Sequence, residues 1–234
     1  MANNAGRNWD PDLRNWMEAA EEVGALQTIT GAETTEEIGG ILDFFQRRMG
    51  NSAILFDDVP GFPKGHRVLA NVLTSVQRIN IALGLPADGS ERELVLWWRD
   101  YMKNAPKHAP EMVKTGALQE NVIEDDAIDI TTIPTPTWHE HDGGPFIGTG
   151  CMVVMKDPDT GWVNFGAYRV QTHGPKTASI MMSPGRMTSL SCSEIAAGRP
   201  GRWEGFSEID DAVSDRILCR RNIILRSAVC LTRP

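Results

Sequence analysis

Apolar residues follow two different patterns along the chain. In the N-terminal part, short runs of β-forming residues alternate with segments in which apolar residues recur every three or four positions. The short runs predict strands at 26–30, 53–56 and 68–72, and the periodic segments predict helices at 13–23, 35–50, 75–83 and 91–102. Strands that alternate with helices predict an N-terminal α/β lobe, which we place at residues 1–110.

A β-rich pattern follows a proline-rich segment, Lys103 to Pro110, which is the predicted linker. Beyond it, β-forming segments at 117–119, 121–123 and 128–130 precede two longer alternating runs, Phe146 to Met155 and Trp162 to Thr172. Turn-forming residues from Asp157 to Gly161 lie between these runs, so the pair predicts a β-hairpin with a long loop. The whole chain is therefore predicted to be an α+β protein.

The second strand of this hairpin carries the candidate chemistry. Asn164 offers a neutral oxygen ligand, and Arg169 offers a permanent cation with five donors in a planar fork. Gly166 and Ala167 lie between them and are small enough for a ligand to approach the backbone. This pattern is typical of a strand that contacts a large, planar, anionic cofactor.

Composition and charge narrow the choice of partners. The 234 residues carry a net charge of −8 and show no basic patch with interleaved aromatic residues, which argues against nucleic acid or an anionic membrane as the main partner. No apolar run approaches the length of a membrane span, and the polar N-terminus lacks the apolar core of a signal peptide. We therefore expect a cytoplasmic protein.

The metal-binding residue types give a weak signal. The four cysteines form no C-x-x-C pair, which favours free thiols over a disulfide framework or a zinc site. His139 and His141 would share one face of a strand and Asp142 follows them, but no further ligand lies at a suitable spacing. A zinc site is therefore the weaker interpretation of these residues.

The central stretch from Pro134 to Arg186 resembles the UbiD-type decarboxylases. Its motifs occur in the order and at the spacing of that family, and the upstream segments 116–120 and 125–126 also fit. The matching residues of the central stretch are Ile133, Pro134, Pro136, Trp138, His139, Asp142, Gly143, Gly144, Thr149, Gly150, Asp157, Pro158 and the run from Asn164 to Arg169.

The resemblance implies a fold and an activity. The fold would be an α/β lobe followed, over residues 111–186, by part of a split β-barrel of the flavin reductase type. The activity would be non-oxidative decarboxylation of an aromatic, heteroaromatic or α,β-unsaturated carboxylic acid with prenylated FMN, and with Mn²⁺ and K⁺ beside that cofactor. A flavin prenyltransferase would supply the cofactor, and full-length members would form homo-oligomers.

The resemblance also assigns site residues. Arg169 would hold the substrate carboxylate beside the cofactor, and Asn164 would be a metal ligand. The other cofactor-binding positions would be Thr149, Phe165, Gly166, Ala167 and Tyr168, with the main-chain carbonyl of Phe165 on the monovalent cation. The alternatives without the resemblance are a backbone-capping Asn164, a surface Arg169 and a core-packing Tyr168.

The sequence changes character at Met187, which stands where the family has a metal-binding histidine. Residues 187–234 contain seven arginines and no lysine, and we expect the resemblance to end there, before the glutamates that would complete the metal site and donate a proton. One hypothesis is that a lost base turned Arg-His into Arg186-Met187 and shifted the later codons. The alternative is a genuine divergent tail, disordered or partly helical, with a helix from Ser207 to Ile217.

Three functions follow from these alternatives. The chain is an active decarboxylase, or an inactive fragment or accessory flavin-binding subunit of such an enzyme, or a flavin reductase-like protein that binds unmodified FMN.

Overall fold

The computed structural model describes residues 13–47, 52–105, 122–123, 125–156, 162–180, 208–209 and 217–218. These residues form two compact units. The first contains residues 13–33 and 37–105, and the second contains residues 34–36 and the described residues from 122 onward. Both helices and sheets are present, which confirms the predicted α+β class.

The first unit combines four helices with a three-stranded mixed sheet. Its elements are α1 Leu13–Glu22, β1 Leu26–Thr30, α2 Glu37–Gln46, β2 Ala53–Asp57, β3 Val68–Ala70, α3 Val76–Ala82 and α4 Glu91–Asn104. Strand β2 is central, parallel to β1 and antiparallel to β3. Every helix and strand predicted for this part of the chain is present, with bounds that differ by a few residues.

The core of the first unit lies around β2. The strand residues Ala53, Ile54 and Phe56 are fully buried, as expected for a continuous apolar run in a central strand. Helix α1 buries Trp16 and Ala20 against this layer. A side chain the size of phenylalanine contributes about 2–3 kcal/mol when it is buried in this way.

A buried cation ties α3 to the loop before it. Arg78 is 1% exposed, and its Nε donates a hydrogen bond of 3.0 Å to the carbonyl oxygen of Asn71. Burial lowers the pKa of Arg78. The backbone of Asn71 has a φ of 60°, which an asparagine tolerates better than most residues, and Trp16 donates through Nε1 to the carbonyl of Arg78 at 3.3 Å.

Helix α4 extends further than predicted. Lys103 and Asn104, which we assigned to the linker, form its last turn. The helix ends at Asn104 because Ala105 precedes Pro106, and a residue before proline is disfavoured in the helical region. The remainder of the predicted linker lies outside the described residues.

The second unit is built on a three-stranded antiparallel sheet. Its strands are β4 Phe146–Lys156, β5 Val163–Gly174 and β6 Thr177–Ile180, in the order β4-β5-β6. Strands β4 and β5 confirm the predicted hairpin, and the loop between them lies outside the described residues. Strand β6 was not predicted; its alternate residues Ala178 and Ile180 are buried.

Several predictions for the second unit are wrong. Val122 and Ile123 are in no strand, and 128–130 is not a strand because Asp129 caps a 3₁₀ helix at Ile130–Thr132, accepting a 2.9 Å hydrogen bond from the Thr131 backbone. The alternative helix from Ser207 to Ile217 is also absent at its described residues. These form two short antiparallel strands, β7 Glu208–Ile209 and β8 Ile217–Leu218, whose isoleucines favour a strand.

The segment Thr34–Glu36 belongs to the second unit. The backbone N–H of Glu36 donates a hydrogen bond of 2.9 Å to the carbonyl of Thr137, and the backbone N–H of Thr137 donates one of 3.0 Å to the carbonyl of Thr34.

Among the described residues of either unit, no helix has both the length and the apolar character that a membrane span requires.

Candidate functional site

Strand β5 carries most of the predicted site residues. Its pairing with β6 is regular from Val170 to Thr172, and its pairing with β4 is regular from Val163 to Tyr168. Side chains therefore alternate between the two faces of the sheet. Val170 and Thr172 are 2% and 7% exposed and define the core face, whereas Ala167 and Arg169 are exposed on what we call the outer face.

The predicted residues divide between the two faces. Tyr168 shares the core face with Val170 and is half-buried. The backbones of Asn164, Phe165 and Gly166 lie in β5 opposite Met155, Val154 and Val153. The structure thus places these three residues in the predicted strand.

Thr149 lies in β4 at an irregularity. Gly148 pairs with Val170 and Cys151 pairs with Tyr168, so three steps along β4 correspond to two along β5. Such a bulge bends a strand locally and is over-represented beside functional sites. The glycines on either side of Thr149 permit this irregular backbone.

Arg169 lies over an aromatic ring. The central carbon of its guanidinium is 5.6 Å from the centroid of the Phe146 ring. Phe146 lies opposite Gln171 on the neighbouring strand, so the contact between Arg169 and Phe146 is diagonal. It brings the guanidinium toward the Phe146–Gln171 pair. Among the described residues Arg169 has no carboxylate partner, so its planar donors are available to an anion.

The loop that contains Gly143 and Gly144 lies against Gln171, the next residue after Arg169 on the outer face of β5. A Cβ on Gly144 would lie 2.9 Å from the Nε2 atom of Gln171, and a Cβ on Gly143 would lie 3.3 Å from the same atom. Residues 142–145, which we call the glycine loop, are therefore in direct contact with this amide. The glycine loop is held next to β5 by Thr172, whose backbone donates a 2.9 Å hydrogen bond to the carbonyl of Pro145.

The residues from His139 to Asp142, which lead into the glycine loop, form a compact turn. The backbone of His139 donates to Oδ2 of Asp142 at 3.1 Å, and the backbone of Asp142 donates to the carbonyl of His139 at 3.0 Å. In the part of the chain that the structure describes, no three histidine, cysteine or acidic residues come together to hold a metal ion. His139 and His141 lie in a turn and not in the strand that the zinc interpretation assumed.

The outer face fits a planar cofactor better than it fits a metal ion. The small side chain of Ala167 is exposed beside Arg169 and leaves room for a flat ring next to the guanidinium. Of the three metal ligands that the resemblance implies, only Asn164 belongs to the described residues. A flavin can therefore lie against these residues, whereas the described part of the chain does not complete the metal site.

Sequence reasoning missed Gln171 and Phe146 as site residues. The alternation of β5 already placed Gln171 two positions after Arg169, on the same face. Its contact with Gly143 and Gly144 depends on a loop that is distant in sequence, which no local pattern reveals.

Two parts of the chain match domains of a known protein family. Residues 17–96 match the 3-octaprenyl-4-hydroxybenzoate carboxy-lyase N-terminal domain, UbiD_N, and residues 111–201 match the Rift-related domain of the same carboxy-lyase, UbiD. Together these matches cover well over half of the chain, and the chain belongs to the UbiD family. The second match runs past Met187, where we expected the resemblance to end.

Two curated relatives are decarboxylases. The pyrrole-2-carboxylic acid decarboxylase of Pseudomonas aeruginosa is 30% identical over 168 residues, which make up 68% of this chain and 33% of that protein. Ferulic acid decarboxylase 1 of Candida dubliniensis is 28% identical over 146 residues, 59% of this chain and 27% of that protein. The chain thus spans a third or less of the length of these relatives.

A solved structure supports the fold. An evolved dimeric form of the UbiD-class enzyme HmfF from Pelotomaculum thermopropionicum, in complex with prenylated FMN, is similar with a TM-score of 0.67 and 26% identity. The similarity covers 82% of this chain and 43% of that one.

Proposed function

We propose that this protein is a non-oxidative carboxy-lyase that acts on an aromatic, heteroaromatic or α,β-unsaturated carboxylic acid with prenylated FMN. The observation that carries the proposal is Arg169, an exposed cation on the outer face of β5 with no carboxylate partner among the described residues. Membership of a family whose curated relatives decarboxylate such acids supports it. The balanced reaction takes a carboxylate and a proton and gives carbon dioxide and a new C–H bond.

The residues of this chain would bind and orient the substrate. Arg169 would hold the carboxylate in one orientation through two parallel hydrogen bonds, and Phe146 below it would limit the motion of the guanidinium. The cofactor would lie along Thr149 and the run Asn164–Arg169, and when bound it would supply an electron sink for the electron pair that remains on the substrate carbon when carbon dioxide leaves. These residues would belong to a split β-barrel that begins near residue 111.

Further parts of the proposal concern partners. Asn164 would be a ligand of Mn²⁺, and the main-chain carbonyl of Phe165 would be a ligand of K⁺. A flavin prenyltransferase would supply the cofactor, and the protein would form a homo-oligomer, as family membership suggests.

Substitution of Arg169 tests the proposal. The chain is produced together with a flavin prenyltransferase, and carbon dioxide release is measured from a panel that includes pyrrole-2-carboxylate and ferulate. We expect release from at least one acid, a loss of at least about 100-fold in Arg169→Met because the carboxylate loses its bidentate partner, and partial recovery in Arg169→Lys. Binding of the same acids is measured by calorimetry in parallel.

The control is Arg92→Met, which removes an exposed arginine on helix α4, an element of the first unit that carries none of the proposed site residues. Release that is equally fast with Arg169→Met and the unchanged protein would contradict the proposed role of Arg169. No release from any acid with prenylated FMN bound would contradict the proposed activity.

A second candidate is an accessory flavin-binding subunit. It is favoured by β4, an eleven-residue strand that has β5 as its only strand neighbour among the described residues. Such an edge can pair with another chain. Stable co-purification with a catalytically active family member, without activity of this chain alone, would favour this candidate over the first.

A further inference from the structure

We propose that Gln171 is a second substrate-binding residue, and that its side-chain amide donates a hydrogen bond to the same carboxylate that Arg169 holds. The inference rests on the proposed function, since it assigns a new contact within that site. It starts from Gln171 itself, which lies on the outer face of β5 and is nevertheless half-buried.

The Gln171 amide lies against the backbone of the glycine loop. Its Nε2 lies against Gly144 and Gly143, at 2.9 and 3.3 Å from the positions that their Cβ atoms would occupy. The strand beneath is central in the sheet, with Phe146 opposite on one side and Ser179 opposite on the other. An amide confined on these sides loses little freedom when it binds a ligand.

The amide is confined but makes no hydrogen bond within the described part of the chain, and its polar atoms are not sealed from solvent. A primary amide has two donor hydrogens and one acceptor oxygen, and no group of the described chain competes with a ligand for these donors.

Arg169 brings a positive charge close to the pair formed by Phe146 and Gln171. Its guanidinium lies over Phe146, the register partner of Gln171, and so is displaced along the strand toward the amide. A cationic fork next to a neutral N–H donor matches a carboxylate, whose two oxygens together accept about four hydrogen bonds. The glycines provide the close approach, because any side chain at position 144 would displace the amide.

The test measures binding rather than turnover. Pyrrole-2-carboxylate and its neutral analogue pyrrole-2-carboxamide are titrated by calorimetry into the protein produced with a flavin prenyltransferase. We expect Gln171→Met to weaken binding of the carboxylate roughly tenfold, the size typical of a lost hydrogen bond to a charged group. Gln171→Glu keeps the shape of the side chain and adds a negative charge. It should therefore weaken binding of the carboxylate further and leave the affinity for the carboxamide within about twofold of the parent value.

Gln77→Met is the matched control, since Gln77 is an exposed glutamine on helix α3 of the first unit. Unchanged carboxylate binding in Gln171→Met, together with a loss in Arg169→Met, would overturn the role of Gln171 and leave the proposed function intact. Equal losses for the carboxylate and the carboxamide in Gln171→Glu would also overturn it, because they would indicate a purely structural effect. A carboxylate affinity that neither Arg169→Met nor Gln171→Met changes would overturn both assignments.

Discussion

Gly144 is the residue near the candidate site whose backbone restricts substitution most. Its φ is 148°, a value that residues with a side chain rarely adopt, and a Cβ would lie 2.9 Å from Nε2 of Gln171. We expect Gly144→Ala to lower the free energy of unfolding by about 1–3 kcal/mol, from backbone strain and displacement of the amide. Urea denaturation, followed by the fluorescence of the tryptophans, measures the change.

The matched control for this substitution is Gly40→Ala. Gly40 is exposed in helix α2, and a Cβ there would meet nothing within 4 Å. Alanine should stabilise this position by about 0.5–1 kcal/mol, because glycine loses more conformational freedom in a helix. Equal effects of the two substitutions would contradict the strained, closely packed conformation of Gly144.

Among the secondary-structure elements, the start of α4 shows the most complete set of local interactions. The Ser90 hydroxyl accepts from the backbone of Glu93 at 3.3 Å, and the Glu93 carboxylate accepts from the Ser90 backbone at 2.8 Å and from its hydroxyl at 2.7 Å. These bonds, first from the backbone and then from the hydroxyl of Ser90, lower the pKa of Glu93. A cap of this kind fixes where the helix begins.

The Ser90 cap has a predicted pH dependence. A lowered folded pKa means that Glu93 stabilises the fold above the usual pKa of a glutamate and loses this contribution as the pH falls through its own lower pKa. We expect Ser90→Ala to cost about 1 kcal/mol at pH 7 and less at a pH well below the usual glutamate value. Urea denaturation of variant and parent at both pH values measures the difference.

Ser75→Ala is the control, since Ser75 caps α3 by accepting from the Arg78 backbone at 3.3 Å and has no carboxylate partner in that cap. Its cost should stay the same at the two pH values. A Ser90→Ala cost that is equally independent of pH would contradict the coupling between the Ser90 hydroxyl and Glu93.

Elements that bury one continuous face were predictable from the sequence, and those set by local hydrogen bonds or distant pairing were not. The apolar period of α1 coincides with its buried face, and β2 is a continuous apolar run that is buried at four successive residues, so pattern alone located both. The segment 128–130 has strand composition, but the Asp129 side chain supplies hydrogen bonds that close a 3₁₀ turn instead. Strand β6 is only four residues long and depends on its pairing with β5.

The candidate site was predictable to a similar extent. The hairpin placed Arg169 in the correct strand, and the resemblance assigned it a role. The contact of Arg169 with Phe146 could not be predicted, because the irregular register of β4 between Phe146 and Cys151 decides which residues lie opposite each other. The bulge positions follow from three-dimensional pairing and leave only a weak signal, the glycines around Thr149, in the sequence.

For the molecule as a whole, the two units relate differently to the proposed activity. The first unit has a sheet and core of its own, and none of the proposed binding residues lies in it. All of the described residues of the proposed site lie in the second unit, on β4, β5 and the glycine loop. Substitutions that affect ligand binding and substitutions that affect the first core are therefore expected to be separable.

The proposed metal site depends on the residue at position 187. An imidazole suits Mn²⁺, whereas the thioether of Met187 is a soft ligand that binds such an ion poorly. The hypothesis of a lost base predicts that renewed sequencing of the source DNA across the codons of Ser183 to Leu190 will show one additional base and a histidine codon at position 187. The family match that continues to residue 201 weighs against a shift of the reading frame at this point. An unchanged methionine codon would contradict the hypothesis, and this chain would then lack the imidazole ligand that the family resemblance places at this position.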